Sequence, residues 1–129
     1  MIQKELKAVE AFHNAFKIDC ANQPTVDLPD NIIELRFRLM EEENLEYLEA
    51  AKNKDMVEVA DALGDMLYIL CGTMLTHGMQ HKIEEVFDEI QRSNMSKLGA
   101  DGKPIYREDG KVMKGPNYFK PDIEKILKQ

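Results

Sequence analysis

Two acidic clusters dominate the chemistry this chain can offer. Glu41-Glu42-Glu43-x-x-Glu46 and Glu58-x-x-Asp61-x-x-x-Asp65 are separated by a short polar break at residues 52–55. On a helix, residues three apart lie on one face with about 5–6 Å between Cβ atoms. Glu43/Glu46 and Glu58/Asp61 therefore each present two carboxylates to one side. Two antiparallel helices joined by so short a turn set the pairs opposite each other. Four converging carboxylates repel unless a cation lies between them. All-oxygen ligation suits Mg²⁺ or Mn²⁺ rather than zinc or copper. Magnesium commonly completes its shell with water and phosphate oxygens, so the expected ligand is a nucleotide polyphosphate carried with its metal.

The competing reading of any ExxE pair is a solvated helix face, and Glu41, Glu49, Glu84, Glu85 and Glu89 fit it. Glu43 and Glu46 differ because they interrupt an apolar row, Ile32-Leu35-Leu39-Glu43-Glu46-Ala50. Glu58, Asp61 and Asp65 share a row with Tyr68 and Gly72, and Asp65 is flanked by Ala62, Leu63, Met66 and Leu67. A buried carboxylate without a partner is costly, so Asp65 is expected beside a metal, a cation or a donor. A di-iron bundle needs Glu-x-x-His on two helices, and only Glu10-x-x-His13 occurs.

The elements that must position these groups follow from periodicity and punctuation. All five prolines lie outside residues 31–98, leaving a long stretch where helices run uninterrupted. A first helix is expected over residues 3–17, with Leu6, Val9, Phe12 and Phe16 as its stripe, and a second over 30–52, capped by Asp30. A third spans 55–76 with a core row of Ala60, Leu63, Leu67, Leu70 and Met74, ending at His77-Gly78. A fourth covers 80–97 and buries Ile83, Val86, Phe87, Ile90 and Met95. Turn signals crowd the chain after Lys97, and Asp109-Gly110 between 105–107 and 111–113 predicts a small hairpin. Residues 121–127 add a last short helix. The fold class is all-α, a four-to-five-helix bundle. Residues 1–98 form its helical part, and 99–129 form a basic tail of the same domain.

At 129 residues the chain suffices for one domain. Its net charge of −7 argues against binding a nucleic-acid polymer. No uninterrupted apolar run approaches the roughly 20 residues that span a bilayer, so no membrane is expected. Cys20 and Cys71 form neither a disulfide framework nor a metal spacing, and a reducing cytoplasm is the default location. Residues 97–120 reverse the charge balance, with six basic residues against three acidic. An acidic body with a basic tail suits an anionic ligand that arrives with cations. More apolar rows than a small bundle can hide predict burial against a second copy.

These residues carry a family resemblance. Glu42-Glu43-x-x-Glu46 followed by Glu58-x-x-Asp61 resembles the EExxE…ExxD signature of the all-α nucleoside triphosphate pyrophosphohydrolases. That group includes the MazG proteins, the dimeric dUTPases and phosphoribosyl-ATP pyrophosphohydrolase. Residues 60–68 with Gly72-Thr73, Arg92-Ser93-Asn94-Met95-Ser96-Lys97, and residues 107–115 are similar to the MazG-like, phosphoribosyl-ATP-pyrophosphohydrolase-like branch. Leu45 stands where many MazG proteins have glycine.

The resemblance implies a homodimer or dimer of dimers that cleaves an NTP or dNTP, dUTP- or dCTP-like or non-standard, to monophosphate and pyrophosphate with Mg²⁺, or Mn²⁺ in its place. It implies Glu43, Glu46, Glu58 and Asp61 as metal ligands and Glu42 as the group that orients or deprotonates the attacking water. It implies Asn94 and Lys97 on phosphate, with Arg92, Lys111 and Lys114 as further contacts. Asp65 is an extra ligand or a group supporting the ligands. Phe12, His13, Phe16 and Tyr118 are the candidates to hold the base. The alternative function is a non-catalytic helical dimer that binds nucleotide or protein.

Overall fold

The computed structural model describes all 129 residues, in five helices: α1 Gln3–Ala15, α2 Asp30–Lys52, α3 Met56–Thr76, α4 Ile83–Met95 and α5 Ile123–Leu127. The all-α expectation holds, with shorter ends. α1 stops at Ala15 and α4 begins at Ile83. Asp30 is the first helical residue of α2 rather than its cap, a position taken by Pro29. Asp55 caps α3, its carboxylate accepting from the Glu58 amide at 3.2 Å.

The chain divides into two compact units, Met1–His81 and Lys82–Gln129. α4 falls in the second unit, with the segment that follows it and α5.

In the first unit α3 is the central element, packed against both α1 and α2. Arg36 meets Ile69 and Thr73, Glu43 senses Asp65 and Asp61, and Ala50 shares a cleft with Glu58. Partners rise along α2 as they fall along α3, so the two helices are antiparallel. The turn between them is set by backbone bonds from Asp55 to Ala50 and from Lys54 to Ala51, with Lys54 in the left-handed region at φ 58°. The end of α1 repeats the pattern, with Lys17 at φ 57° and the Ile18 amide on the His13 carbonyl.

The core of the first unit is small: Leu6, Val9, Ala50, Ala62, Cys71 and Leu75 are its buried apolar members. The expected core row of α3 is a correction. Leu63, Leu67 and Leu70 are 40% exposed or more, because α1 and α2 approach α3 along its other faces. Phe87, Ile90 and Met95 of α4 are likewise exposed, leaving Val86 as that helix's buried apolar residue. Across the 23 residues of α2 only Arg36 and Ala50 are buried.

α3 is also long and apolar enough, by length and composition, to cross a bilayer. It carries Asp65 near mid-span and Asp61 one turn before it, which hydrocarbon disfavours, and packs against two neighbours. Within the unit it is the helix that both neighbours pack against, with its Leu63, Leu67 and Leu70 row left exposed.

The loop between α1 and α2 is stitched to the far end of α3. Ala21 and Thr25 amides donate to the Leu75 and His77 carbonyls at 3.0 and 2.9 Å, and Gln80 Nε2 donates to the Ala21 carbonyl at 2.8 Å. Gly78, at φ 70°, has Gln23 backbone where a Cβ would stand, so this close approach requires glycine.

In the second unit, Ser93 Oγ donates to the Phe119 carbonyl at 2.8 Å and the Gly115 amide to the Lys97 carbonyl at 2.8 Å, tying the tail back to α4. The expected hairpin is a single antiparallel bridge, Tyr106 to Val112, turning through Gly110 at φ 86°.

Candidate active site

The site grows from the α2–α3 pair. The capped start of α3 places Glu58 in its first turn, and the antiparallel register brings the Glu43–Glu46 stretch of α2 alongside Asp61 and Asp65. Glu46, Glu58 and Asp61 are exposed, while Glu43 and Asp65 are half-buried. Glu42 is exposed on the flank. A cleft of about 330 Å³ lies at the turn end, lined by Glu46, Glu49, Ala50, Asn53, Asp55 and Glu58.

Glu43 is the most perturbed carboxyl. Burial, a hydrogen bond with Glu46, and the negative charges of Glu46, Asp65 and Asp61 push it up from 4.5 to about 7. Its Oε2 is buried with no hydrogen-bond partner. No three His, Cys, Asp or Glu side chains stand at ligand spacing around one point. Carboxylates of like charge spread apart, and the exposed side chains of Glu46, Glu58 and Asp61 are free to turn. An orphaned buried oxygen among three further carboxylates, with no basic residue in the set, fits a hard divalent cation.

Two turns along α2 from Glu43 lies Arg36, which the sequence reading passed over. It is 9% exposed, yet donates from Nε to Thr73 Oγ1 at 3.1 Å and from Nη2 to the Ile69 carbonyl at 2.9 Å. The signal was available: a lone Arg on the row that carries Glu43. Gly72 makes room for it.

The base candidates separate. His13 is 2% exposed, with Nδ1 3.4 Å from Cys20 Sγ and Nε2 against Gly72, so it belongs to the helix-packing interior. Burial, then the Arg36 guanidinium, lowers its pKa. Phe12 and Phe16 are exposed and form an aromatic group with Tyr68, at centroid distances of 4.4 Å (Phe12–Phe16) and 5.6 Å (Phe12–Tyr68).

The phosphate candidates all lie in the second unit, where Tyr118 is half-buried beneath the Lys114 ammonium, 4.8 Å from its ring. Arg92 is already engaged, by Glu89 at 2.9 Å and over the Phe119 ring at 4.4 Å. The side chains of Asn94, Lys97 and Lys111 make no hydrogen bond or ion pair.

Comparison with known proteins bears on this arrangement. The model of the family described as phosphoribosyl-ATP pyrophosphohydrolase matches residues 9–94, a span that includes every acidic candidate. A solved structure from Exiguobacterium sp. 255-15, provisionally assigned as an NTP pyrophosphohydrolase, is similar at 26% identity and a TM-score of 0.52. The match covers 95% of this chain and 93% of that one. No curated protein matches. The chain belongs to the phosphoribosyl-ATP pyrophosphohydrolase family, hydrolases that act on phosphoric anhydrides.

Proposed function

We propose that this chain is a Mg²⁺-dependent pyrophosphohydrolase that converts a nucleoside or deoxynucleoside triphosphate to monophosphate and pyrophosphate. The observation that carries the reading is Glu43, whose partnerless buried oxygen lies among Glu46, Asp61 and Asp65. Glu43, Glu46, Glu58 and Asp61 hold the cation, with Asp65 beside them. When bound, the cation supplies charge neutralisation and Lewis-acid polarisation at the phosphates.

The protein's own groups supply the rest. Glu42, exposed beside Glu43, orients the attacking water and takes its proton. Asn94 and Lys97, with Lys111 and Lys114, offer amide and ammonium donors to phosphate oxygens as charge develops on the leaving pyrophosphate. Exposed Phe12 and Phe16 offer aromatic surface.

The test is a panel of ribo- and deoxynucleoside triphosphates with Mg²⁺ or Mn²⁺, with products separated. Monophosphate and pyrophosphate are expected, and both should vanish in Glu58→Gln and Asp61→Asn while the melting curve persists. Orthophosphate release, or no turnover on any member, counts against the reading. Tight nucleotide binding without turnover supports the alternative, a non-catalytic nucleotide-binding dimer.

The exposed rows Ile33-Phe37-Leu48 and Leu63-Leu67-Leu70 support assembly as a homodimer or dimer of dimers. Light scattering across a dilution series tests this, and a monomer at every concentration excludes it.

A further inference from the structure

A second cavity, of about 370 Å³, opens between the α1–α2 loop and the end of the α2–α3 pair remote from the acidic turn. Its walls include Ile18, Leu28, Ile32 and Leu35, and its polar groups include Arg36 and Thr76. Both polar residues are buried, at 9% and 4% exposure.

Arg36 is incompletely matched. Nε and Nη2 have partners, but Nη1 has none, and no carboxylate pairs with the guanidinium. A buried, unneutralised guanidinium favours an acceptor brought in from outside. It offers donors alone. The Thr76 hydroxyl spends its proton on the Gly72 carbonyl at 2.9 Å, so its oxygen can only accept. The cavity thus presents apolar walls, a buried cationic donor and an acceptor, with the exposed Lys17 and Asp19 on its loop side.

Its position relative to Glu43 sets the occupant. Arg36 and Glu43 lie seven residues apart on one row of α2, about 10 Å along the axis. That is the span from a nucleotide's α-phosphate to the far edge of its base. We propose that this cavity receives the base of the substrate nucleotide, and that Arg36 selects rings presenting a carbonyl over rings presenting an amino group. An amino group there sets N–H against N–H and leaves the buried guanidinium unmatched, a mismatch that discriminates far more strongly than a change in apolar area. The preferred substrates are oxo-bases over the amino-bases from which deamination derives them. The inference rests on the hydrolase reading for its ligand, but its test does not depend on turnover.

The decisive probes are two pairs that differ by oxo against amino: dUMP with dCMP, and dIMP with dAMP, titrated calorimetrically. In each pair the oxo member is expected to bind tenfold tighter or more. Arg36→Gln should bring the members of each pair within about twofold of each other. Ala21→Leu fills the cavity while retaining Arg36, and should weaken all four; it also serves if the Arg36 variant does not fold. Equal binding within the pairs overturns the inference, as does a folded Ala21→Leu protein that binds dUMP like the parent. Oxo-selective binding with no pyrophosphate released from any triphosphate sustains the inference and removes the hydrolase reading. Pyrophosphate release at one rate from all four triphosphates does the reverse.

Discussion

Gly72 of α3 and Arg36 of α2 occupy one another's space: a Cβ built on Gly72 would stand 2.5 Å from Arg36 Nη2 and 2.9 Å from His13 Nε2. A mid-helix glycine ordinarily costs about 0.5–1 kcal/mol relative to alanine. Here it admits the guanidinium that ties α2 to α3. Gly72→Ala should therefore destabilise, because overpacking costs about 1–3 kcal/mol and exceeds the helix-propensity gain. Urea denaturation measures it, and a more stable alanine variant would show that the contact relaxes freely.

Glu43 predicts a pH-dependent response to magnesium. Its pKa is raised from 4.5 to about 7, so the folded chain binds more protons at that group than the unfolded one. The stability it contributes is present below pH 4.5 and is lost as pH rises through 7. At pH 8 its charge repels Glu46, Asp61 and Asp65, and a cation relieves the repulsion. Mg²⁺ should raise the melting temperature more at pH 8 than at pH 5.5. Glu43→Gln should stabilise the metal-free chain at pH 8 and shrink the magnesium response. An equal magnesium shift at both pH values rules this out.

The turn that aligns the acidic pairs carries strain at Lys54, held at φ 58°. Left-handed backbone costs a residue with a Cβ about 1–2 kcal/mol, which glycine avoids in exchange for greater unfolded-state entropy. Lys54→Gly is expected to stabilise by about 0.5–1 kcal/mol without loss of turnover, since no candidate ligand changes. Thermal melts and steady-state rates check both halves.

Ser93 is 2% exposed and ties α4 to the tail through the Phe119 carbonyl. Removing its hydroxyl leaves that carbonyl without its donor, at a cost of about 1–3 kcal/mol. Ser93→Ala should make residues 97–120 cleave faster under limited proteolysis. Unchanged cleavage would mean that the remaining bonds, from the Gly115 amide to the Lys97 carbonyl, from the Phe119 amide to Ser96 Oγ and from the Asp122 amide to Glu89, hold the segment.

Lys97 and Arg92 lie close in sequence but differ in occupation. Lys97 has no ion-pair partner, whereas Arg92 is taken by Glu89 and Phe119. Lys97→Ala should raise KM for triphosphate about tenfold or more, as expected for a charge-assisted bond. Arg92→Lys should chiefly lower stability. If the two effects are reversed in steady-state kinetics and melts, the phosphate contact belongs to Arg92.

The sequence by itself determined the all-α class, the helix order and the acidic candidates. Period, proline placement and capping are local, and the i, i+3 spacing of Glu43/Glu46 and Glu58/Asp61 survives any packing of the helices. The tertiary structure decided which rows are covered. Leu63, Leu67 and Leu70 read as core because apolar periodicity reports a preference for burial, not the neighbour that provides it. Arg36 drew no attention in the sequence because its burial depends on a space opened by Gly72, 36 positions away. His13 moved inside for the same reason. Spacing along one helix shows which groups share a face, but only the register between helices sets which of them lose contact with water and need a partner.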